Sequence, residues 1–183
     1  MEKIPTLFQR NHDGDHRLRD EVTPGCEWVI AGEGVATRKW DGTCCLVRDG
    51  VLYRRHELKP DKSPPRGFEV AAAPDPVTGK TPGWVPVGDR PEDKWHRIAL
   101  GIECDGTYEL CGPKVQGNPE QMEGHALIWH GNWTLTDAPR DFGGLLEWLD
   151  GRDLEGVVWH HEDGRMAKIK GRDFGLRRPV NKQ

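Results

Sequence analysis

Along most of this chain, apolar and polar residues alternate over short runs, and Asp-Gly pairs punctuate the runs. "VATRKWDGTCCLV" and "VLYRRHEL" flank Asp49-Gly50, which predicts an antiparallel hairpin with Lys39 near its start. "LEGVVWHH" and "GRMAKIKG" flank Asp163-Gly164 and predict a second hairpin. "CEWVIAGEG", residues 26–34, reads as a strand entering a glycine-rich turn. "IALGIECDGTYELC", 98–111, reads as two short strands around Asp105-Gly106, and "HALIWHG", 125–131, as one more. Helical spacing is clear only in "DAPRDFGGLLEWLDGRD". There Phe142, Leu145, Leu146 and Leu149 recur on one face, and Asp137 is the candidate N-cap. The expected class is α+β, built of twisted antiparallel sheets with few helices.

Residues 59–95 break the pattern. They hold eight of the fourteen prolines, which excludes regular sheet, because proline brings no ladder donor. A disordered linker and an ordered loop both fit. Phe68, Trp84 and Trp95 favour the ordered loop, since linkers are poor in aromatics. A chain of 183 residues is then expected to form a single domain, 1–183, with a Pro-rich ordered loop at about 59–95.

Net charge changes the picture little. At −4 it excludes coating of nucleic acid by charge alone and leaves a local basic groove open. Cys26, Cys44, Cys45, Cys104 and Cys111 are odd in number and contain no CxxC pair. They read as reduced thiols, and with no apolar signal core and no span-length apolar run the expected location is cytoplasmic. His125, His130, His160 and His161 show no zinc-type spacing.

Candidate chemistry concentrates in the two hairpins. Alternation places Glu155, Val157 and Trp159 on one face of a strand, and Lys168 and Lys170 together on the returning strand. A solvated outer face with cross-strand ion pairs explains this patch. So does a polyphosphate site, in which lysines neutralise phosphate oxygens and the acid holds a divalent metal. Lys39 and Asp41 likewise admit a simple ion pair. They also admit a nucleophile: a lysine attacks phosphorus as the neutral amine, which burial, neighbouring cations or a metal favour.

The order "KWDG", "YRRHELK", "TYELCG", "LEGVV", "KIK" spans most of the chain. It resembles the covalent nucleotidyltransferase superfamily of RNA ligases, DNA ligases and capping enzymes. "KWDGTCCLV", "GTYELCGPKVQGNPE" and "HALIWHG" look most like small ATP-dependent RNA ligases of the RNA ligase 1 type, as do "KIPTLF" and "PGWVPVGDRPEDKWHR". The resemblance implies an ATP-grasp-like adenylation domain, with no appended oligonucleotide-binding (OB-fold) domain after "KIK".

It also implies roles. Lys39 would take AMP from ATP as a covalent lysyl-AMP. Asp41 and Glu155 would serve the metal, magnesium or manganese. Arg54 or Arg55, only one of which faces the site, would engage the nucleotide. Glu109 would reach the ribose, and Lys168 and Lys170 the α-phosphate and leaving pyrophosphate. Val157 would pack on the adenine, with Trp129 over its other side. Thr37 stands where DNA ligases carry a glutamate, so backbone near Thr37 and Arg38 would read the base. The implied partner is RNA with a 5′-phosphate and a 3′-hydroxyl, following the basic residues Lys168, Lys170, Arg172, Arg177, Arg178 and Lys182. Transfer to a DNA nick or another acceptor, and a non-catalytic nucleotide- or RNA-binding module, are the alternatives.

Overall fold

The computed structural model describes residues 3–11, 14–15, 17–101 and 104–179. In chain order the strands are β1 (Phe8–Arg10), β2 (Leu18–Val22), β3 (Val35–Lys39), β4 (Thr43–Arg48), β5 (Val51–Leu58), β6 (Glu69–Val70), β7 (Thr81–Pro86), β8 (Gly106–Cys111), β9 (Ala126–Trp129), β10 (Gly156–His160) and β11 (Met166–Lys170). The helices are α1 (Glu27–Ile30), α2 (Lys94–Ala99) and α3 (Phe142–Leu149). This is a mostly-sheet α+β fold. No helix among the described residues is long and apolar enough to cross a membrane.

The chain divides into two compact units. One, the split unit, comprises 4–40 and 131–183. The other, the inserted unit, comprises 41–130 together with 1–3.

In the split unit, β10 lies between β11 and β3, antiparallel to both, and β1 pairs with β2. Val157 and Trp159 point from β10 into the core, with Ala36 from β3 and Ala167 and Ile169 from β11. Leu145 and Leu149 of α3 close that core, as the helical spacing predicts. Asp137 does not cap α3. Asp141 does, accepting from Gly144 N at 2.8 Å. Arg140, just before it, donates to the carbonyls of Val29, Glu33 and Gly34 and holds that stretch out of the helix. Asp137 instead accepts from the Trp148 indole and from Arg152. Residues 26–34 are also not a strand. Trp28 and Val29 are adjacent and both buried, which alternation on a strand does not give but the single turn of α1 does. Gly34, at φ 71°, ends the segment. A Cβ there would lie 2.5 Å from the Trp28 ring.

The inserted unit is one antiparallel sheet in the order β6-β7-β5-β4-β8-β9. Asp49 and Gly50, at φ 52° and 72°, turn β4 into β5 as the two-residue loop predicts. Cys45, Val47, Leu52, Tyr108 and Leu110 form its core. The Pro-rich segment does contain sheet: Pro82 and Pro86 lie within β7. The Pro82 carbonyl accepts from Ala71 N, so the missing donors face the side of two-residue β6 and cost few ladder bonds. Pro91 opens a 3-10 turn that leads into α2, whose end takes up Ile98 and Ala99. Of the two strands expected in 98–111, β8 is the one among the described residues; part of the other falls on Ile102 and Glu103, which lie outside them.

Candidate active site

Register on the split unit's sheet decides which side chains share a face. Gly156 stands opposite both Lys39 and Lys170, and Val158 opposite both Thr37 and Lys168. All these residues therefore point away from the core that takes Val157. Gly156 is required there: a Cβ would lie 2.0 Å from the Ile169 carbonyl oxygen and 2.8 Å from Lys170 Cα.

Glu155 precedes the first paired residue of β10, so alternation with Val157 and Trp159 does not bind it. Its carboxylate spans the two lysines, with Oε2 2.5 Å from Lys39 Nζ and Oε1 2.7 Å from Lys170 Nζ. The three side chains are only 9, 18 and 14% exposed, in the order Glu155, Lys39, Lys170. Burial alone would raise the Glu155 pKa, but Lys39 and Lys170 outweigh it and hold the group below its ordinary value, as a carboxylate. Lys168 has no ion-pair partner among the described residues. Burial, with Lys170 and Lys39 beside it, brings its pKa down to about 8. Its backbone is fixed from outside the hairpin: Lys168 N donates to Pro5 O, and Leu7 N to Lys168 O. The "KIPTLF" stretch thus braces β11.

The flanking expectations resolve separately. Thr37 is buried, with its hydroxyl 3.1 Å from both Val158 O and His160 Nε2. Arg38 donates to Asp153 O and lies 4.4 Å over the Trp40 ring. Val157 is fully buried on the side opposite the lysines. The valine on their face is Val158. Of the basic tail, Arg172 and Arg177 are exposed, Arg178 is paired with Asp153 at 2.6 Å, and Lys182 lies outside the described residues.

In the inserted unit, Cys45 stands opposite Arg54 and Tyr108, so Arg54 shares the core side with Tyr108, and Arg55 shares the other side with Glu109. Arg54 is committed to structure. It donates to Asp93, whose side chain is fully buried, at 2.7 Å. Burial alone would raise that carboxyl's pKa, and Gly88 N–H, Arg54 and Arg90 together lower it. Arg55 lies over the Trp84 ring at 5.1 Å. Glu109 is buried and accepts from Gly42 N at 3.1 Å, with His130 Nε2 2.9 Å from its other oxygen. Asp41 N donates to Glu120 at 2.9 Å. Trp129 pairs with Tyr108 and rests its ring there, so it is on the side opposite Glu109.

The structure thus brings together Lys39, Glu155, Lys168 and Lys170, and separately puts Arg55 on the same sheet face as Glu109, with β4 between their strands. It does not put Val157 with the first group or Arg54 and Trp129 with the second. Sequence reasoning missed Val158 and His130. Neither has a local signal: the β10–β11 register sets Val158 opposite Lys168, and the β8–β9 register carries His130 to Glu109.

Comparison with known proteins agrees with the motif reading. The RNA ligase 1 family profile matches residues 98–183. Curated proteins named RNA ligase 1 are similar along more of the chain. That of Danio rerio is 27% identical, covering 98% of this chain and 82% of its own length. That of Pongo abelii is 25% identical over 80% of this chain and 69% of its own. That of Mus musculus is 26% identical over 80% and 68%.

Proposed function

From this chain's kinship with the RNA ligase 1 type of protein, we propose that it is an ATP-dependent RNA ligase working through a covalent lysyl-AMP. The single observation that carries the reading is the half-buried row Lys39–Glu155–Lys170 beside the depressed Lys168. Three ammonium groups against Glu155, with the nearby Asp173 already paired to Arg10, leave a local excess of positive charge shielded from water. That is the complement of a polyphosphate, not of a solvated strand face.

Lys39 Nζ, as the neutral amine, attacks the α-phosphorus of ATP. A P–N bond forms, the bond to pyrophosphate breaks, and Lys39 gives up one proton. Lys168 and Lys170 neutralise the phosphate oxygens and so hold phosphorus in line with the amine. AMP next passes to an oxygen of the RNA 5′-phosphate as the P–N bond breaks. A 3′-hydroxyl then attacks that activated phosphate, and AMP departs. An ionised, nearly buried Glu155 fits a divalent cation, and it would hold the magnesium or manganese that accompanies ATP and offsets phosphate charge. Asp41, Glu109 and Arg55 keep the metal, ribose and nucleotide roles their motifs imply. On the base we assign Val158 in place of Val157, because it lies on the lysine face. Thr37 and Arg38 offer backbone to the base edge. The whole is read as one adenylation domain, and RNA follows the exposed Arg172 and Arg177.

Incubation with α-labelled ATP or GTP and a divalent cation, followed by a denaturing gel, tests the proposal. An acid-labile label from ATP, absent in Lys39→Ala and discharged by 5′-phosphorylated RNA, is expected. Label from GTP alone would replace it with capping-type chemistry. Discharge by nicked DNA alone would move the acceptor to DNA. No label from a folded protein that carries no AMP by mass would leave a binding module.

A further inference from the structure

Cys44, Glu109 and His130 converge on one point of the inserted unit's sheet. One ligand atom from each lies within 4.8 Å of the other two, and Cys44 and Glu109 are direct cross-strand partners on β4 and β8. Spacing in the sequence gives no metal pattern, because three separate segments supply the three residues. The geometry points to a binding site here for a soft divalent cation of the zinc class, held by the Cys44 thiolate, a Glu109 oxygen and the His130 imidazole.

Three lines of chemistry support it. The donor set is one sulfur, one nitrogen and one oxygen, which suits zinc or cobalt and not magnesium or calcium, whose ligands are oxygens. Bonds of about 2.0–2.3 Å to a tetrahedral ion put ligand atoms roughly 3–4 Å apart, within reach of this cluster by small side-chain rotations. Three protein ligands leave the fourth position open.

The donors are also held in place. Gly42 N–H fixes one Glu109 oxygen at 3.1 Å, and His130 N donates to Thr107 O at 3.1 Å and fixes that backbone. The neighbouring thiol does not compete, since Cys45 points into the core and burial pushes its pKa well up. Cys44 is only half-buried, which leaves an entry path. Binding converts the thiol to a thiolate, so one proton leaves as the ion arrives.

Glu109 is also the carboxylate assigned above to the nucleotide's ribose, so a soft ion and ATP would compete for it; only this competition rests on the ligase reading. The test is titration of the intact protein with cobalt(II), followed by zinc. The expected result is a one-to-one near-ultraviolet charge-transfer band of a thiolate–cobalt bond, removed by zinc and not by magnesium. The band should vanish in Cys44→Ser, and affinity should fall at least about tenfold in His130→Ala. No band at stoichiometric cobalt, or a band that persists in Cys44→Ser, overturns the site. Cys44→Ser is further expected to retain label transfer from ATP while losing its inhibition by zinc. A band in a protein that takes no label from ATP would overturn the ligase reading and leave this site standing.

Discussion

Replacing Glu155 with glutamine tests the central claim that one carboxylate offsets two shielded ammonium groups. At 2.5 and 2.7 Å the contacts are close, and exposures of 9, 18 and 14% leave little water to screen them. At an effective dielectric of 20 each pair is worth roughly 6 kcal/mol in gross attraction, most of which desolvation cancels. The loss on removing one partner is set instead by the charges left behind, typically about 3–5 kcal/mol. Partial exposure of the two amines puts Glu155→Gln at the lower end, about 3 kcal/mol. For a chain of this size that lowers Tm by roughly 6–12 °C. Urea unfolding followed by tryptophan fluorescence reads the change directly. If stranded charge is the cause, adding Lys39→Met to Glu155→Gln recovers about half of it, because one ammonium then goes too. A Glu155→Gln variant within about 0.5 kcal/mol of wild type, or no recovery in the double variant, refutes the reasoning.

Lys168 titrates near pH 8, below its ordinary value of 10.5, so it is charged below pH 8 and neutral above. ATP affinity is expected to fall as pH rises through 8, and Lys168→Arg should flatten that fall; calorimetry from pH 6.5 to 9.5 gives the profile (~3 pH units, wide enough for one titration). For stability the sign is opposite: between pH 8 and 10.5 the unfolded chain holds the extra proton, so stability rises with pH across that window and stops rising in Lys168→Met. Val157→Ala should cost about 2–3 kcal/mol by cavity formation with little direct effect on ATP affinity, while Val158→Ala, buried but outside the core cluster, should cost about 1–2 kcal/mol and raise the Kd for ATP. Denaturation and nucleotide titration of both decide this, and equal effects on affinity would undo the face assignment. Arg54→Ala strands the fully buried Asp93 on its remaining partners and should cost about 2 kcal/mol, whereas Arg55→Ala should leave Tm nearly unchanged and weaken nucleotide binding.

Both Asp-Gly hairpins were legible because the signal is local: an Asp-Gly pair between alternating runs, with positive φ at both Asp49 and Gly50 and at Gly164 within the longer 161–165 connection. The shared face of Lys168 and Lys170 was legible for the same reason, since alternation along one strand needs no partner; bringing Lys39 and Glu155 to them took the β3–β10–β11 register. What failed needed information from elsewhere in the chain. Three carbonyls of the 29–34 segment hold Arg140 and move the α3 cap from Asp137 to Asp141. The two adjacent buried residues of α1 are identical in composition to a strand and differ only in where the core lies. Pro82 and Pro86 argue against sheet, and short β6 makes them harmless. Arg54 against Arg55, and Val157 against Val158, differ by one position and therefore by face, which only register settles.

The division of the chain into 4–40 plus 131–183 around 41–130 has a consequence for biosynthesis. β3 is made early, yet β10, which pairs along its whole length, begins at Gly156, and among the described residues the other edge of β3 meets only the short stretch around Thr134. At ~5–20 residues per second, the β10-facing edge of β3 waits on the order of ten seconds for its partner to be made. The inserted unit's ladders lie within one nearly continuous stretch and can close during that interval. A nascent chain arrested before Gly156 would therefore carry a finished sheet beside an open strand edge, the kind of edge that recruits foreign strands. Ribosome stalling within 131–155 is the point in this protein's life at which aggregation is most to be feared, and where a chaperone would do the most good.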